Sequence, residues 1–427
     1  SQEVAEIVGP ALATALVLLM TPALGFFYGG LVRAKNVLNT LMMSVASLGV
    51  VTLVWALAAY SLAFDAGSDW VGGLSFAGLR SVGLEARGTI PHLLFMAYQG
   101  AFAVVTAALI SGAIVERMRF APYLAFIALW VAVVYAPVAH WVWGGGWMSR
   151  LGVLDYAGGT VVHVNAAAAA VVAATVLRPR NDYARRALLP HNVPYVLLGA
   201  ALLWFGWFGF NAGSALAVNG AATLAFVNTF LAPAATLVVW MLLDLRRTGR
   251  GTAVGAATGI VVGLVAVTPA AGFVSPASAL VIGAIAAIPS HYAIAWRSRT
   301  GLDDSLDVAA AHGIGGVTGA ILTGVFAESA WGGVDGLVAG RPAQLGLQLL
   351  GIVVAALYSG VATFGILKLV QVALPLRSPT RDEAVGLDVS QHGEEAYARG
   401  EGAVLVRPGA TTASPIPQPA AVAVAGG

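Results

Sequence analysis

The sequence predicts an all-α membrane protein that crosses the bilayer many times. Of its 427 residues, 59% are hydrophobic and 10% are charged, whereas an ordinary soluble domain carries about 25% charged residues. The apolar residues form unbroken runs of about 20, which is the length that a helix needs to cross a hydrocarbon core of about 30 Å. Barrel strands would instead alternate polar and apolar residues. Because lipid offers the backbone no hydrogen-bond partners, these runs predict helices.

We predict eleven spans, of which the eighth and tenth are short and rich in Gly and Ala. Their approximate ranges are 7–31, 37–64, 91–115, 120–143, 159–177, 195–215, 221–243, 252–269, 277–296, 308–327 and 345–374.

The basic residues predict an orientation for these spans. If the N-terminus is outside, the inner loops hold thirteen Lys and Arg residues and the outer loops hold four, namely Arg80, Arg87, Arg150 and Arg341. Loops on the cytoplasmic side of a membrane carry an excess of Lys and Arg. We therefore expect a multi-pass protein of the cell (inner or plasma) membrane, with the N-terminus outside and the C-terminus cytoplasmic.

The chain is predicted to divide into a transmembrane domain, residues 1–375, and a cytoplasmic tail, residues 376–427. The tail becomes rich in Pro, Ala and Thr between Thr411 and Pro419, a composition that predicts disorder at its end. The first residues lack an initiator Met and a basic segment, which leaves open removal of a signal peptide or trimming of the chain.

A faint internal repeat links spans five and ten. The segment that ends at His163 and the segment that begins at Ala311-His312 are each followed by small residues. Two repeats of five helices must have opposite orientations, because each has an odd number of spans. Inverted repeats are typical of transporters, with the pathway at the repeat interface. The fold class is thus two inverted five-helix repeats plus a final long helix.

Composition also excludes several classes of protein. The formal net charge is +2, so nothing suggests a nucleic-acid partner. The chain has no cysteine, which excludes disulfides and thiolate metal sites. We predict no cofactor.

Of the seven histidines, His163 and His312 lie well inside apolar spans at matching positions of the two halves. They are either core histidines that tie helices together or polar groups in a pathway. We favour the pathway, because ionisable groups inside a membrane are costly and mark substrate routes. The small residues around them would let the two helices approach closely.

Asp155 stands just before span five, on the outer side. It can cap the start of that helix or concentrate a cation near it, and these roles are compatible. Asp307, five residues before His312, is expected to play a similar structural role on the inner side.

Aromatic residues cluster at the candidate entrances. The cluster comprises Trp141 and Trp143 at the end of span four, Phe102 in span three, and Trp207, Phe208 and Phe210 in span six. A single Trp near a membrane interface is commonly an anchor. Several converging rings would instead form a cation port, because desolvated cations bind aromatic faces.

Six segments carry a resemblance to a known family. They are Phe27-Tyr28-Gly29-Gly30-Leu31-Val32-Arg33, Gly112-Ala113-Ile114-Val115-Glu116-Arg117, Ala139-His140-Trp141-Val142-Trp143-Gly144-Gly145-Gly146, Asp155-Tyr156-Ala157-Gly158-Gly159-Thr160-Val161-Val162-His163, Gly206-Trp207-Phe208-Gly209-Phe210-Asn211-Ala212-Gly213-Ser214 and Gly386-Leu387-Asp388. In these segments, and from about residue 8 to Tyr397, the chain resembles the ammonium transporter family (Amt/Mep/Rh), bacterial Amt type.

The resemblance implies a homotrimer with one pore in each subunit, which carries ammonium or ammonia and also methylammonium. When the family's motifs are matched to this sequence, the resemblance implies an outer recruitment site formed by Trp143, Phe102 and Ser214 and supported by Asp155. Phe102 and Phe210 are the gate, and His163 with His312 are the twin histidines of the pore. Tyr98, at the rim, stands where a Phe is common in the family. A PII-type regulatory protein is a possible partner at the cytoplasmic face.

The expected mechanism follows from desolvation. A narrow apolar lumen penalises the charged form, so ammonium gives up a proton there, whereas potassium has none to give. Rival functions are an Rh-like neutral gas channel for ammonia or carbon dioxide, an ammonium sensor, and a membrane metalloenzyme. An aromatic-Ser port argues against the gas channel, and about 50 tail residues are few for a signalling domain. The predicted topology places Asp155 and Asp307 on opposite sides, too far apart to share a metal ion.

Overall fold

In the computed structural model, which describes residues 2–397, long apolar helices form one bundle. Ten helices in this part of the chain are long and apolar enough to cross a membrane, and an eleventh, Ala253–Val267, is shorter. The eleven spans are Gln2–Leu31, Ala34–Phe64, His92–Ser111, Phe120–Leu151, Gly159–Leu177, Val193–Ala215, Gly220–Thr248, Ala253–Val267, Pro276–Arg297, Ala309–Phe326 and Ala343–Ala373. The predicted all-α polytopic fold is confirmed, and the spans fall close to their predicted positions.

Shorter elements lie at the ends of the bundle. They are the 3₁₀ turn Ala77–Leu79, the hairpin of strands Ala86–Arg87 and Ile90–Pro91, the helix Ser329–Gly332, and the tail elements Thr380–Val385 and Asp388–His392. The short helix Trp147–Leu151 forms the end of the fourth span. The predicted disordered end of the tail lies outside the described residues.

The eighth span, at 15 residues, is about 22 Å long at the usual helical rise. Val261 to Val267 are nearly all buried within the bundle. A short helix followed by irregular backbone is tolerated at membrane depth where protein surrounds it and satisfies its polar groups. Burial therefore explains why this span is the shortest.

Spans one and six pack along each other because glycines remove side chains from the contact. A Cβ placed on Gly199 would lie 2.4 Å from the backbone nitrogen of Phe27, and one on Gly209 would lie 2.7 Å from the carbonyl of Ala13. Small residues at such crossings let membrane helices approach closely. The outward sides of the spans are apolar, as at Leu57, Phe205 and Val361, which suits a lipid-facing surface.

Spans five and ten begin at opposite ends of the bundle. Span five begins beside Trp143, at what we name the Trp143 end, and span ten begins beside the loop of Arg117 and the segment 374–397, at the tail end. Each starts with a π-helical stretch, Gly159–Val164 or Ala309–Ile314. Stretches of this kind often occur at functional sites. The opposed directions fit the predicted inverted repeat.

Candidate functional site

A cavity of about 280 Å³ opens at the Trp143 end of the bundle, and we name it the Trp143 cavity. Its wall is formed by Phe64, Phe95, Gln99, Phe102, Val142, Trp143, Tyr156, Ser214 and Leu216. The wall is largely aromatic, and Gln99 and Ser214 contribute polar side chains. An aromatic wall of this kind suits a small cation.

Phe102 and Phe210 close the inner side of this cavity. Their rings stack with centroids 4.1 Å apart at an interplanar angle of 24°, and Trp143 meets Phe102 edge to face at 6.0 Å. Both phenylalanine side chains are almost fully buried. Offset stacking of this kind adds about 0.5–1.5 kcal/mol beyond area burial. The stacked pair is therefore a stable apolar partition between the cavity and the interior.

Ser214 lies in a 3₁₀ turn at the end of span six. Its hydroxyl donates to the Phe210 carbonyl at 2.8 Å and lies 3.2 Å from the Tyr98 hydroxyl. With its proton directed at Phe210, the Ser214 oxygen keeps lone pairs that can accept a hydrogen bond from a solute.

Asp155 does not line the Trp143 cavity; its carboxylate caps span five. One oxygen accepts from the N–H groups of Gly158 and Gly159, and the other accepts from Thr160 and Val161, all at 2.7–2.9 Å. Its backbone carbonyl accepts from Nε1 of Trp143 at 2.8 Å. Asp155 therefore contacts both the helix that carries His163 and the largest ring of the cavity wall.

His163 and His312 meet in the middle of the bundle. Their Nδ1 atoms are 3.0 Å apart, and the rings are inclined by 22° with centroids 5.2 Å apart. One Nδ1 must carry a proton and the other must be bare, because a hydrogen bond joins a donor to an acceptor. Gly316 lies opposite His163, where a Cβ would be 3.1 Å from that of the histidine. Small residues thus let the two spans bring the imidazoles together.

A narrow lumen surrounds the histidine pair. It holds a space of about 10 Å³ between His163, His312, Phe210, Trp207 and Leu203, together with other apolar side chains. Trp207 stacks on His163 with centroids 5.4 Å apart at 16°. Nε2 of His163 has no hydrogen-bond partner within residues 2–397. The lumen is therefore apolar apart from the two imidazoles.

A larger cavity of about 360 Å³ lies at the tail end, and we name it the tail cavity. Its wall includes His312, Arg33, Glu116, Arg180, Arg297 and Asp307. His312 borders both the lumen and this cavity, and Phe210 borders the lumen and stacks on Phe102 of the Trp143 cavity. The two cavities and the lumen therefore lie in series, with the Phe102–Phe210 stack between the Trp143 cavity and the lumen.

A charged network forms one side of the tail cavity. The Glu116 carboxylate binds Arg33 at 3.0 Å and Arg180 at 2.5 Å, and Arg180 also binds Asp303 at 2.7 Å. Although burial opposes ionisation, the two guanidinium groups hold the pKa of Glu116 at about 2. Arg180 likewise lowers the pKa of Asp303. Paired in this way, the buried charges satisfy one another.

The structural counterpart of Asp155 is Asp304, so the expectation for Asp307 was wrong. Asp304 accepts from the N–H groups of Val308 and Ala309 at 3.0 and 2.6 Å, at the start of span ten. Asp307 instead binds Arg297. Asp155 and Asp304 each stand eight residues before their histidine, a spacing that identifies the correct pair from the sequence.

Two further contacts could not be assigned from the sequence. The sequence indicates Trp207 only as one member of an aromatic cluster, whereas in the structure its ring covers the face of His163 and its Nε1 donates to Thr268 at 2.8 Å. The segment 374–397 docks on the tail end, where Asp388 accepts from the backbone N–H of Asn39 at 2.8 Å.

In the described part of the chain, no three His, Asp or Glu side chains are grouped as metal ligands would be.

A bundle of lipid-compatible helices with two cavities and a lumen in series is typical of a polytopic membrane transporter or channel. The chain belongs to the Ammonium Transporter Family, whose family model matches residues 10–397. This membership identifies it as a transport protein rather than an enzyme.

Curated relatives cover nearly the whole chain. It is 48% identical over 388 residues to an ammonium transporter of Bacillus subtilis (strain 168), which covers 90% of this chain and 96% of the relative. It is 44% identical over 386 residues to the ammonium transporter Amt1 of Archaeoglobus fulgidus, with 90% and 97% covered.

Solved structures share the fold. Mep2 of Saccharomyces cerevisiae is 38% identical, with a TM-score of 0.83 and 88% of each chain covered. A structure described as a sensor Amt protein is 30% identical, with a TM-score of 0.86 and coverage of 92% of this chain and 99% of the other.

Proposed function

We propose that this chain transports ammonium or ammonia, and also methylammonium, along the route from the Trp143 cavity to the tail cavity. The observation that carries the proposal is that two cavities and a narrow lumen lie in series in a member of the Ammonium Transporter Family. The route passes from Trp143 and Ser214, through the Phe102–Phe210 stack, to His163 and His312.

Recruitment takes place at the Trp143 cavity. A desolvated cation over aromatic faces gains about 0.5–2 kcal/mol, and Phe102 and Trp143 offer such faces. Ser214 accepts one N–H of the cation, because its own proton is directed at the Phe210 carbonyl. Asp155 holds Trp143 in place and adds negative charge nearby.

Deprotonation follows from the shape of the lumen. The space of about 10 Å³ beyond Phe102 and Phe210 leaves no room for a hydration shell. Removal from water disfavours the charged form of a solute, so ammonium enters this space as ammonia. His163 and His312 offer polar partners to the neutral molecule and a route for its proton.

Orientation and location form part of the proposal. We place the Trp143 end outside the cell membrane and the tail end in the cytoplasm, since Arg33, Arg180 and Arg297 lie at the tail end and cytoplasmic loops carry an excess of basic residues. The chain has no cysteine, so a membrane-impermeant maleimide can report on single introduced thiols. In whole cells, Ser149→Cys is expected to be labelled and Ser298→Cys is not. The reverse pattern would contradict this orientation.

The proposed assembly is a homotrimer in the lipid bilayer, with a PII-type regulatory protein as a candidate partner at the tail end. Family membership and the docked segment 374–397 support this expectation. Native mass spectrometry of the purified protein tests the trimer. Capture of a PII protein by the full chain, but not by a variant that ends at residue 375, tests the partner.

Proteoliposomes test the transport proposal. We expect saturable methylammonium uptake that Ser214→Ala and Trp143→Leu weaken, whereas the exposed control residues Ser149→Ala and Trp331→Leu have no effect. Non-saturable ammonia or carbon dioxide flux unaffected by these variants would favour an Rh-like gas channel. Binding without flux would favour a sensor, a possibility that the fold shared with the sensor Amt protein keeps open.

A further inference from the structure

Tyr98 lies directly behind the recruitment site, and its hydroxyl contacts three oxygen atoms. The side chain is 1% exposed. Its hydroxyl is 3.0 Å from the carbonyl of Gly209, 3.0 Å from that of Phe210 and 3.2 Å from Oγ of Ser214. A buried hydroxyl needs such partners, because an unpaired one carries a desolvation cost.

The Tyr98 hydroxyl fits beside Gly213 because this residue has no side chain. A Cβ on Gly213 would lie 2.7 Å from the Tyr98 oxygen, so any other residue at that position would displace it. The Tyr98 ring packs separately against Phe102, with centroids 5.0 Å apart. Ring and hydroxyl therefore have different partners and can be tested separately.

The hydroxyl contacts restrict where the Ser214 proton can point. Each hydroxyl has one O–H donor and two acceptor lone pairs. Ser214 donates its one proton to the Phe210 carbonyl, and Tyr98 donates its proton to the carbonyl of Gly209, to that of Phe210 or to the Ser214 oxygen. In each arrangement the Ser214 proton points away from the Trp143 cavity, and at least one lone pair remains for a solute.

We propose that Tyr98 is a positioning residue that keeps Ser214 oriented as a hydrogen-bond acceptor toward the Trp143 cavity. A cation entering the cavity then meets an oxygen lone pair instead of a hydroxyl proton. This inference rests on the proposed function of that cavity. It assigns to Tyr98 an effect on cation affinity that acts only through Ser214.

The test is a double-mutant cycle on methylammonium uptake by proteoliposomes. Tyr98→Phe keeps the ring and removes the oxygen. We expect it to raise the half-saturation concentration about fivefold, as for one neutral hydrogen bond, and to leave the maximal rate unchanged. In the Ser214→Ala background the same substitution should change nothing further.

Tyr123→Phe is the matched control. Tyr123 is also fully buried, and its hydroxyl contacts Ser47 at 3.0 Å and the Met43 carbonyl at 3.1 Å, outside both cavities and the lumen. It should leave the half-saturation concentration unchanged. Unfolding temperatures of all variants identify any loss of fold.

Three results would overturn the inference: no effect of Tyr98→Phe, the same effect with and without Ser214, or an equal shift in Tyr123→Phe. Absence of saturable uptake in the unmodified protein would instead contradict the proposed function itself, so the two failures are distinguishable.

Discussion

The carboxylates of Asp155 and Asp304 bind the first turns of the two spans that carry His163 and His312. Asp155 accepts four backbone N–H groups at the Trp143 end, and Asp304 accepts two at the tail end. Since a helix N-terminus has unpaired donors and a partial positive charge, a buried carboxylate there satisfies both. Each half of the inverted repeat thus positions its histidine from an anchored helix start.

This relationship predicts that neutralising Asp155 lowers the free energy of unfolding more than neutralising Asp304 does. Hydrogen bonds to a charged group contribute about 1.5–3 kcal/mol each. Asparagine replaces one carboxylate oxygen with an NH2 donor, so Asp155→Asn loses two of its four accepted bonds and Asp304→Asn loses one of its two. We therefore expect Asp155→Asn to lower the free energy of unfolding by about 3–6 kcal/mol and Asp304→Asn by about half as much. Thermal unfolding in detergent measures both. Asp69→Asn, at an exposed ion pair with Arg150, is the control and should cost less than about 1 kcal/mol. A larger loss for Asp304→Asn would contradict the assignment.

The histidine pair illustrates which parts of the site are predictable from sequence. His163 and His312 stand out because ionisable side chains are rare in apolar spans, and their matching positions indicate a repeat. We expected Asp307 to play the role of Asp155 on the inner side, although the correct counterpart was also predictable: Asp304 stands eight residues before His312, as Asp155 does before His163, whereas Asp307 stands five residues before it.

Contacts between distant segments could not be predicted. The stacking of Trp207 on His163 depends on how spans five and six are rotated against each other. The sequence does not indicate this rotation, because a helix that is apolar on all sides has no polar face to mark its orientation. The docking of Asp388 on Asn39 joins positions 349 residues apart. The roles proposed for Trp143, Phe102 and Ser214 remain predictions.

The network at the tail end predicts a loss of stability in acid. The pKa of Glu116 is about 2 in the folded protein, against an ordinary value of 4.5. As pH falls through this window the unfolded chain takes up a proton first, so the stabilisation present above pH 4.5 is progressively lost. We expect the unfolding temperature to drop between pH 6 and pH 3.

Glu116→Gln checks the source of that loss. The variant should be less stable than the unmodified protein at pH 6 and should lose less stability on acidification. Part of the pH dependence should remain, because Arg180 also lowers the pKa of Asp303. An unchanged pH dependence in Glu116→Gln would place its origin elsewhere.

Docking of the tail is expected to respond to pH near neutrality. His392 lies 2.9 Å from Oδ1 of Asn39 and edge to face with Phe120, and burial lowers its pKa from the ordinary 6.5. Above pH 6.5 the His392 imidazole is mostly neutral, whether the tail is docked or free. Below pH 6.5, His392 takes up a proton more readily in the free tail than in the docked tail, because burial lowers its pKa in the docked tail. Docking therefore weakens as pH falls.

Hydrogen exchange of residues 386–393 measures this effect. After correction for intrinsic rates, exchange should be several-fold faster at pH 5.5 than at pH 7.5. His392→Gln can still donate to Asn39 but cannot titrate in this range, and it should remove the difference. Equal acceleration in both proteins would exclude His392 as the titrating group.

The central claim is that the lumen around His163 and His312 admits a solute only after it loses its charge. The most direct measurement compares ammonium and potassium concentration jumps on proteoliposomes with electrical and internal-pH readouts. We expect ammonium transport, no potassium current, and a fall of at least about tenfold in ammonium transport for His163→Ala, since positioned proton transfer contributes this much or more. Potassium currents in the unmodified protein equal to those with ammonium would contradict the claim.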